Sequence, residues 1–291
     1  MFQGVYTAII TPFTEEGKID ETSLRKLIDA QIAGGVAGVV PMGTTGESPT
    51  LNFQEHCQVI TIVVDQVRGR VPVIAGTGSN ATSEAIELTA CAKEAGVTAS
   101  LQVAPYYNKP TDDGFYKHFT AIADRVDLPM IVYNIPGRTG RNIDNAVMLE
   151  LAAHKRIVAV KEASGNLNQM MDLIRAKPAD FDVLSGDDNL TLPLIAVGGS
   201  GVVSVASNLV PDRMVAMVQL ALNGKWDEAR TAHYSLLPLF KAIFIETNPV
   251  PIKAALAMQG LCREIYRLPM CPMKKENRDA LAAVLKDMKL I

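Results

Sequence analysis

Short apolar runs recur along the first three-quarters of the chain: Gly4 to Ile10, Gly38 to Met42, Val71 to Ala75, Ala99 to Ala104, Met130 to Tyr133, Ile157 to Lys161, Phe181 to Leu184 and Gly201 to Val205. Each has the length of a strand and is rich in β-branched or other apolar residues. Most intervals are about 25 to 30 residues, enough for one strand, one helix and two loops.

The segments between them carry helix signals. Asp20 precedes Glu21-Thr22-Ser23-Leu24 and then Leu27 and Ile28; Thr82 or Ser83 caps the stretch holding Ile86, Leu88 and Ala92; Thr111-Asp112-Asp113 opens another. Ala33-Gly34 and Ala95-Gly96 read as helix stops. After about residue 211 the strand signals end, and Pro211 to Leu222, Trp226 to Phe240, Val250 to Gly260 and Asn277 to Lys289 read as helices.

Such alternation admits a closed eight-stranded barrel or an open doubly wound sheet. No strand is followed by GxGxxG and a downstream ribose-binding acid, and Gly76-Thr77-Gly78-Ser79 is too short for a phosphate loop. Eight evenly spaced units favour the (β/α)8 TIM barrel, with residues 1–225 as the catalytic barrel and 226–291 as a C-terminal helical domain. The reactive groups of such a barrel lie at the C-terminal ends of its strands.

Composition narrows the field. The 291 residues are 48% apolar and 20% charged, an ordinary globular balance. Twenty-eight basic and 31 acidic side chains, net −3 with no long run of either sign, leave no footprint for nucleic acid. The longest apolar stretches, such as Val36 to Met42, are broken by Gly and Pro and fall short of a membrane span. The N-terminal stretch lacks the basic region and cleavage site of a secretory signal, and the cysteines at 57, 91, 262 and 271 form no CxxC pair. Reduced structural thiols in a cytoplasmic protein are the expectation.

The chemistry gathers at strand ends. The sixth run, Ile157-Val-Ala-Val-Lys161, closes an apolar strand with a lysine, and burial there disfavours the ammonium and leaves a nucleophilic amine suited to a Schiff base. Taken alone, a snorkelling or ion-paired structural lysine explains it as well. The fifth run leads into Tyr133-Asn134-Ile135-Pro136-Gly137-Arg138-Thr139-Gly140, offering a phenol for proton relay and a guanidinium fork for a carboxylate. After the second run, Gly43-Thr44-Thr45-Gly46 has the makings of a backbone nest for a small anion. Tyr106-Tyr107 follows the fourth run, and adjacent side chains of an extended segment point opposite ways. His118 reads as solvent-facing on a helix, Asp187-Asp188 as a helix cap more than a metal site, and no cluster has convincing metal-ligand spacing. The coincidence of amine, phenol, guanidinium and nest tips each of these toward function.

Together GTTGES at 43–48, YNIPGRT at 133–139 and VKEASG at 160–165 resemble the class I pyruvate-dependent aldolase and N-acetylneuraminate lyase family, and within it the dihydrodipicolinate synthases, over essentially the whole chain. The resemblance implies condensation of pyruvate with L-aspartate 4-semialdehyde through a lysine Schiff base, giving 4-hydroxy-tetrahydrodipicolinate on the diaminopimelate route to lysine, with no metal or organic cofactor. It implies Lys161 as the imine lysine and Tyr133, Thr44 and Tyr107 as a proton relay, Tyr107 reaching into a neighbouring subunit. Thr45 would hold the pyruvate carboxylate and Arg138 that of the semialdehyde, with Gly186 and Val203 lining the site. A homodimer, paired into a homotetramer, follows. Ser48, His56, Asn80, Glu84 and Tyr106 match an L-lysine effector site, from whose pattern Pro49 and Phe53 depart. N-acetylneuraminate lyase and 2-keto-3-deoxy sugar acid aldolase share the lysine chemistry; the Thr44-Thr45 pair and Arg138 favour the synthase. A noncatalytic, ligand-sensing barrel is the alternative of another class.

Overall fold

The computed structural model describes residues 2–291. Eight parallel strands, β1 (Gly4–Ala8), β2 (Gly38–Val40), β3 (Ile74–Gly76), β4 (Ala99–Val103), β5 (Met130–Asn134), β6 (Ile157–Glu162), β7 (Asp182–Ser185) and β8 (Gly201–Ser204), follow the predicted runs within a few residues. They lie in the order β2-β1-β8-β7-β6-β5-β4-β3. A bridge between Val39 and Val73 closes the ring, with Val39 N donating to Pro72 O at 3.1 Å and Gly76 N to Pro41 O at 2.9 Å. Closure excludes the open doubly wound sheet and establishes a TIM barrel.

The helices between strands are α1 (Glu21–Ala33), α2 (Phe53–Val67), α3 (Thr82–Ala95), α4 (Asp112–Arg125), α5 (Pro136–Thr139), α6 (Asn145–Ala152), α7 (Leu167–Ala176), α8 (Thr191–Ala196) and α9 (Pro211–Leu222). Three more follow: α10 (Trp226–Ala242), α11 (Val250–Met258) and α12 (Lys275–Asp287). Asp20 caps α1 by accepting from Ser23 N at 3.0 Å, and Thr111 caps α4 by accepting from Gly114 N at 3.3 Å, both as the sequence suggests. At α3 the expectation fails: Ala81 is the N-cap, Thr82 and Ser83 are already helical, and the orphan Ala81 N–H donates to Ser79 Oγ at 3.2 Å.

Thr82 is diverted because its hydroxyl meets His118 Nδ1 at 2.9 Å across the α3–α4 interface. His118, expected to face solvent, is therefore buried at 6% exposure, edge-on to Phe119 with ring centroids 5.0 Å apart. It lies on the same face of α4 as Phe115, Phe119 and Ile122, which pack inward. The expectation of four reduced cysteines is also corrected. Cys57 on α2 and Cys91 on α3 are joined by a disulfide, their Cα atoms 6.2 Å apart. Their separation of 34 residues is one βα period, so neighbouring helices bring them together where sequence proximity does not. Cys262 and Cys271 remain free.

Both faces of the strands are buried, as parallel strands wrapped by helices require. Inside the ring pack Tyr6, Val40, Ile74, Leu101, Tyr133 and Val203. Outside it, one apolar cluster runs from α1 and α2 through α9 to α10, α11 and α12, and Val250 to Leu256 of α11 are all buried. The helices after α9 thus share the barrel's outer core, which sets the chain leading into α11 against the barrel mouth. No helix among the described residues is long and apolar enough to cross a membrane.

His118 yields a stability prediction. Burial pushes its imidazole from 6.5 down to about 4. Between those values the unfolded chain binds the proton first, so the contribution is complete above pH 6.5 and is lost as pH falls to about 4, a change of about 3 kcal/mol. Urea unfolding across that window should lose stability less steeply in His118→Gln than in the parent. Equal slopes would show that His118 is not the titrating group.

Candidate active site

Strand β6 sets Ala159 and Lys161 on its inner face, two residues apart. In the parallel ladder Lys161 is level with Tyr133 on β5 and Leu184 on β7, which brings Nζ within 4.0 Å of the Tyr133 ring centroid. Gly186 makes room for this side chain. A Cβ there would lie 2.5 Å from Ala163 Cβ and 3.2 Å from Lys161 Cε. At 6% exposure the amine is removed from water, and burial lowers its pKa from 10.5 to about 8 against the opposing fields of Asp187 and Asp188. Asp187 and Asp188 act on the amine through their fields, with no hydrogen bond among its influences.

The nearby carboxylates are engaged elsewhere. Glu162 points away from Lys161 and accepts from Asn134 Nδ2 at 3.1 Å and Ser164 N at 2.7 Å. Asp188 accepts from Ser204 Oγ at 2.5 Å, Val205 N at 3.1 Å and Ala206 N at 3.0 Å, and so caps the turn that follows β8 rather than a helix of its own. Burial raises the pKa of all three groups, Asp187 included, although the Lys161 charge pulls Asp187 back down. Among the described residues no three His, Cys, Asp or Glu side chains gather as a metal site.

Tyr133 is buried, which pushes its phenol pKa upward and keeps it protonated, while the nearby Thr44 side chain acts in the opposite direction. Thr44 sits in a one-turn 3-10 helix, Thr44–Gly46, flanked by two residues in the left-handed region, Met42 at φ 58° and Glu47 at φ 54°. Such backbone persists only where its surroundings dictate it. Gly76 does so on one side, since any Cβ there would meet Met42 O at 2.2 Å. On the other side Glu47 forms a buried ion pair with Lys253. The N–H groups of Thr44 and Thr45 have no hydrogen-bond partner among the described residues, which is the nest the glycines suggested.

Thr45 and Arg138 meet through a residue the sequence reading passed over. Asn248, between α10 and α11, donates from Nδ2 to Thr45 Oγ1 at 3.0 Å and accepts at its backbone O from Arg138 Nη2 at 3.1 Å. An asparagine before proline in an irregular link carries no periodic signal, and its partners lie 203 and 110 residues away.

Thr44 and Arg138 line a cavity of about 370 Å³ together with Ser48, His56, Glu84 and Tyr106, and Pro49 and Phe53 belong to the same lining. The two residue sets expected as separate sites therefore share one space. His56 is buried, its Nε2 2.8 Å from Gly76 O, and burial lowers its pKa, so the neutral ring donates there. Glu84 accepts from Ser79 Oγ. Asn80 lies outside the lining and holds the loop after β4, donating to Tyr106 O at 3.2 Å. Val203 is inside the barrel on β8. Tyr107 is not drawn into its own chain's site: it is 88% exposed, with φ 70°.

The model of the dihydrodipicolinate synthetase family matches residues 1–288. A protein of Pelobacter propionicus named 4-hydroxy-tetrahydrodipicolinate synthase is 50% identical over 291 residues, all of both chains. A chloride-inhibited dihydrodipicolinate synthase from Acinetobacter baumannii, solved in complex with pyruvate, is 41% identical with a TM-score of 0.98 over 100% of each chain. An enzyme of that name from Cyanidioschyzon merolae, solved with lysine bound, is 41% identical with a TM-score of 0.97, over 100% of this chain and 99% of that one.

The electrostatics of Lys161 predict its reactivity. Reductive methylation by formaldehyde and cyanoborohydride, read by mass spectrometry, should rise at Lys161 as pH crosses about 8, below the range of solvated lysines. Asp187→Asn removes a negative charge that favours the ammonium and should move that limb to lower pH. A limb that stays in place would remove Asp187 from the account.

Proposed function

The chain belongs to the dihydrodipicolinate synthetase family, and we propose that it condenses pyruvate with L-aspartate 4-semialdehyde, with Lys161 as the imine-forming amine. The observation that carries this reading is the buried Lys161 amine, lowered to about 8 and set against a protonated Tyr133. Lys161 Nζ adds to C2 of pyruvate, and loss of water gives the imine. Loss of a methyl proton gives the enamine, whose terminal carbon attacks the aldehyde. The amine of the semialdehyde then displaces Lys161 by transimination and closes the ring as 4-hydroxy-tetrahydrodipicolinate.

Each step needs a proton carried to or from the buried Lys161 amine. Tyr133, with Thr44 near its hydroxyl, is the carrier beside the amine. Thr45 and the open N–H groups of the 44–45 turn take the pyruvate carboxylate, and Arg138 at the cavity mouth takes the semialdehyde carboxylate. Gly186 gives Lys161 its space and Val203 bounds the barrel side. Tyr107 completes the relay from a neighbouring subunit, which explains an exposed tyrosine held at positive φ, and makes a homodimer, paired into a homotetramer, the working form. On this reading the reaction runs in the cytoplasm, where the Cys57–Cys91 link departs from the usual thiol state.

The cavity also suits L-lysine as effector: Glu84 meets an ammonium and Tyr106 covers the chain. Phe53 supplies an apolar wall but no hydrogen bond there. The sister aldolases remain the competing activities, because a polyhydroxylated acid uses the same imine.

A coupled assay with the downstream reductase tests the reading, with cleavage of N-acetylneuraminate and 2-keto-3-deoxygluconate run in parallel. Turnover should require both pyruvate and the semialdehyde. Borohydride should trap a pyruvate adduct at Lys161 that is lost in Lys161→Ala, and Tyr133→Phe should lower kcat by about 10²–10⁴-fold. Cleavage of either sugar acid without condensation would keep the imine and overturn the substrate.

A further inference from the structure

The link between α10 and α11 places a side chain where the two carboxylate-binding groups of the cavity meet. Asn248 is 5% exposed and touches each of them by a different atom. Its backbone carbonyl accepts from Arg138 Nη2 at 3.1 Å, a bond indifferent to the side chain. Its side-chain Nδ2 donates to Thr45 Oγ1 at 3.0 Å.

That second bond decides which way the Thr45 proton points. A hydroxyl has one proton and two lone pairs. Accepting from an amide N–H occupies one lone pair and forces the O–H to point elsewhere. No described residue accepts that proton, and Thr45 is buried at 2% exposure, so the proton is left available to a bound acceptor. The N–H groups of Thr44 and Thr45 are open as well. Three unengaged donors on two adjacent residues are what a small carboxylate requires, and a freely rotating hydroxyl would not guarantee the third.

We infer that Asn248 is a positioning residue that aims the Thr45 hydroxyl into the cavity as a carboxylate donor, while its backbone independently seats Arg138. The inference rests on the reading of Thr45 as a pyruvate-binding group. The two bonds run to opposite substrates, so the side chain governs pyruvate and leaves the semialdehyde alone.

The same atom count makes aspartate a severe replacement. Asn248→Asp keeps the shape, but a carboxylate offers no N–H. It takes the Thr45 proton for itself and turns a lone pair toward the incoming anion. The negative charge adds repulsion, in a pocket where Asn248 Oδ1 already lacks a partner.

The experiment measures kcat, half-saturation for each substrate, borohydride trapping of pyruvate at Lys161 and melting temperature, in the parent, Asn248→Ala, Asn248→Asp, Thr45→Val and Thr45→Val/Asn248→Ala. Asn248→Ala should raise half-saturation for pyruvate about tenfold, in steady state and in trapping, and Asn248→Asp should raise it further. Half-saturation for the semialdehyde should be unchanged, and Asn248→Ala should add nothing once Thr45 is valine. An Asp variant equal to the parent overturns the inference, as do equal rises for both substrates or additive effects in the double variant. A melting temperature that collapses in Ala and Asp alike, with no selective pyruvate defect, also overturns it by making the role structural. If Thr45→Val leaves pyruvate binding intact, the assignment of Thr45 fails; absence of trapping in the parent defeats the imine reading itself.

Discussion

A single buried ion pair holds the substrate-facing turn in a conformation it would not otherwise keep. Glu47 and Lys253 are 1% and 0% exposed in their side chains and meet directly, Lys253 Nζ also donating to Ile265 O at 3.1 Å. The second Glu47 oxygen accepts from Arg267 N at 3.3 Å, and the Arg267 guanidinium forks onto Glu55 with both bonds at 2.7 Å. Phe13 lies under both cations, 4.3 Å from Lys253 Nζ and 4.6 Å from Arg267 Cζ. Removing one partner of such a pair leaves an uncompensated buried charge and costs about 3–5 kcal/mol. Glu47 is thereby locked at φ 54°, and Thr44 and Thr45, three and two residues before it, inherit a fixed presentation. The C-terminal helices earn their place at the barrel mouth here, because Lys253 and Asn248 both belong to that part of the chain and both act on the β2–α2 turn.

Against this rigid turn stands a group kept deliberately uncomfortable. Lowering Lys161 from 10.5 to about 8 costs the folded state about 3 kcal/mol at neutral pH, since the unfolded chain holds the proton more tightly throughout that interval. The penalty is complete below the folded pKa and vanishes only as pH rises past the unfolded one. Closer carboxylates would relieve it and quench the nucleophile. The structure instead commits Asp188 to the turn after β8 and Glu162 to Asn134 and Ser164, leaving Lys161 only the fields of Asp187 and Asp188 and the face of Tyr133. Stability is surrendered at the amine and recovered in the surrounding network.

What the sequence discloses is whatever is periodic or local. Eight apolar runs at a common interval announce the barrel, and strand-end placement of Lys161 and Tyr133 becomes physical adjacency once the parallel register pairs them. The Gly43–Gly46 nest is legible because its backbone chemistry lies within four residues. His118 misleads because a lone polar residue on an amphipathic helix gives no sign that Thr82 of the preceding helix will meet it. Cys57 and Cys91 mislead for the same reason, since their pairing depends on the packing of α2 against α3. Asn248 and Lys253 are invisible to pattern altogether: each completes a contact more than two hundred residues away along the chain, at Thr45 and Glu47.

The turn that these distant contacts secure also borders the cavity. Thr44 precedes the turn and Ser48 and Pro49 follow it, all three in the cavity lining, with Gly46 and the pinned Glu47 between them. A ligand at Ser48 that displaced the backbone would have to pull Glu47 off Lys253 and away from its left-handed well, against several kcal/mol. The cheaper route of influence is the space itself. Tyr106, Glu84 and Arg138 border one continuous volume, so occupancy at one end changes the water, the field and the free rotamers at the other without moving the turn. Communication across this site therefore belongs to the side chains that line it, and the backbone beneath them serves as a wall.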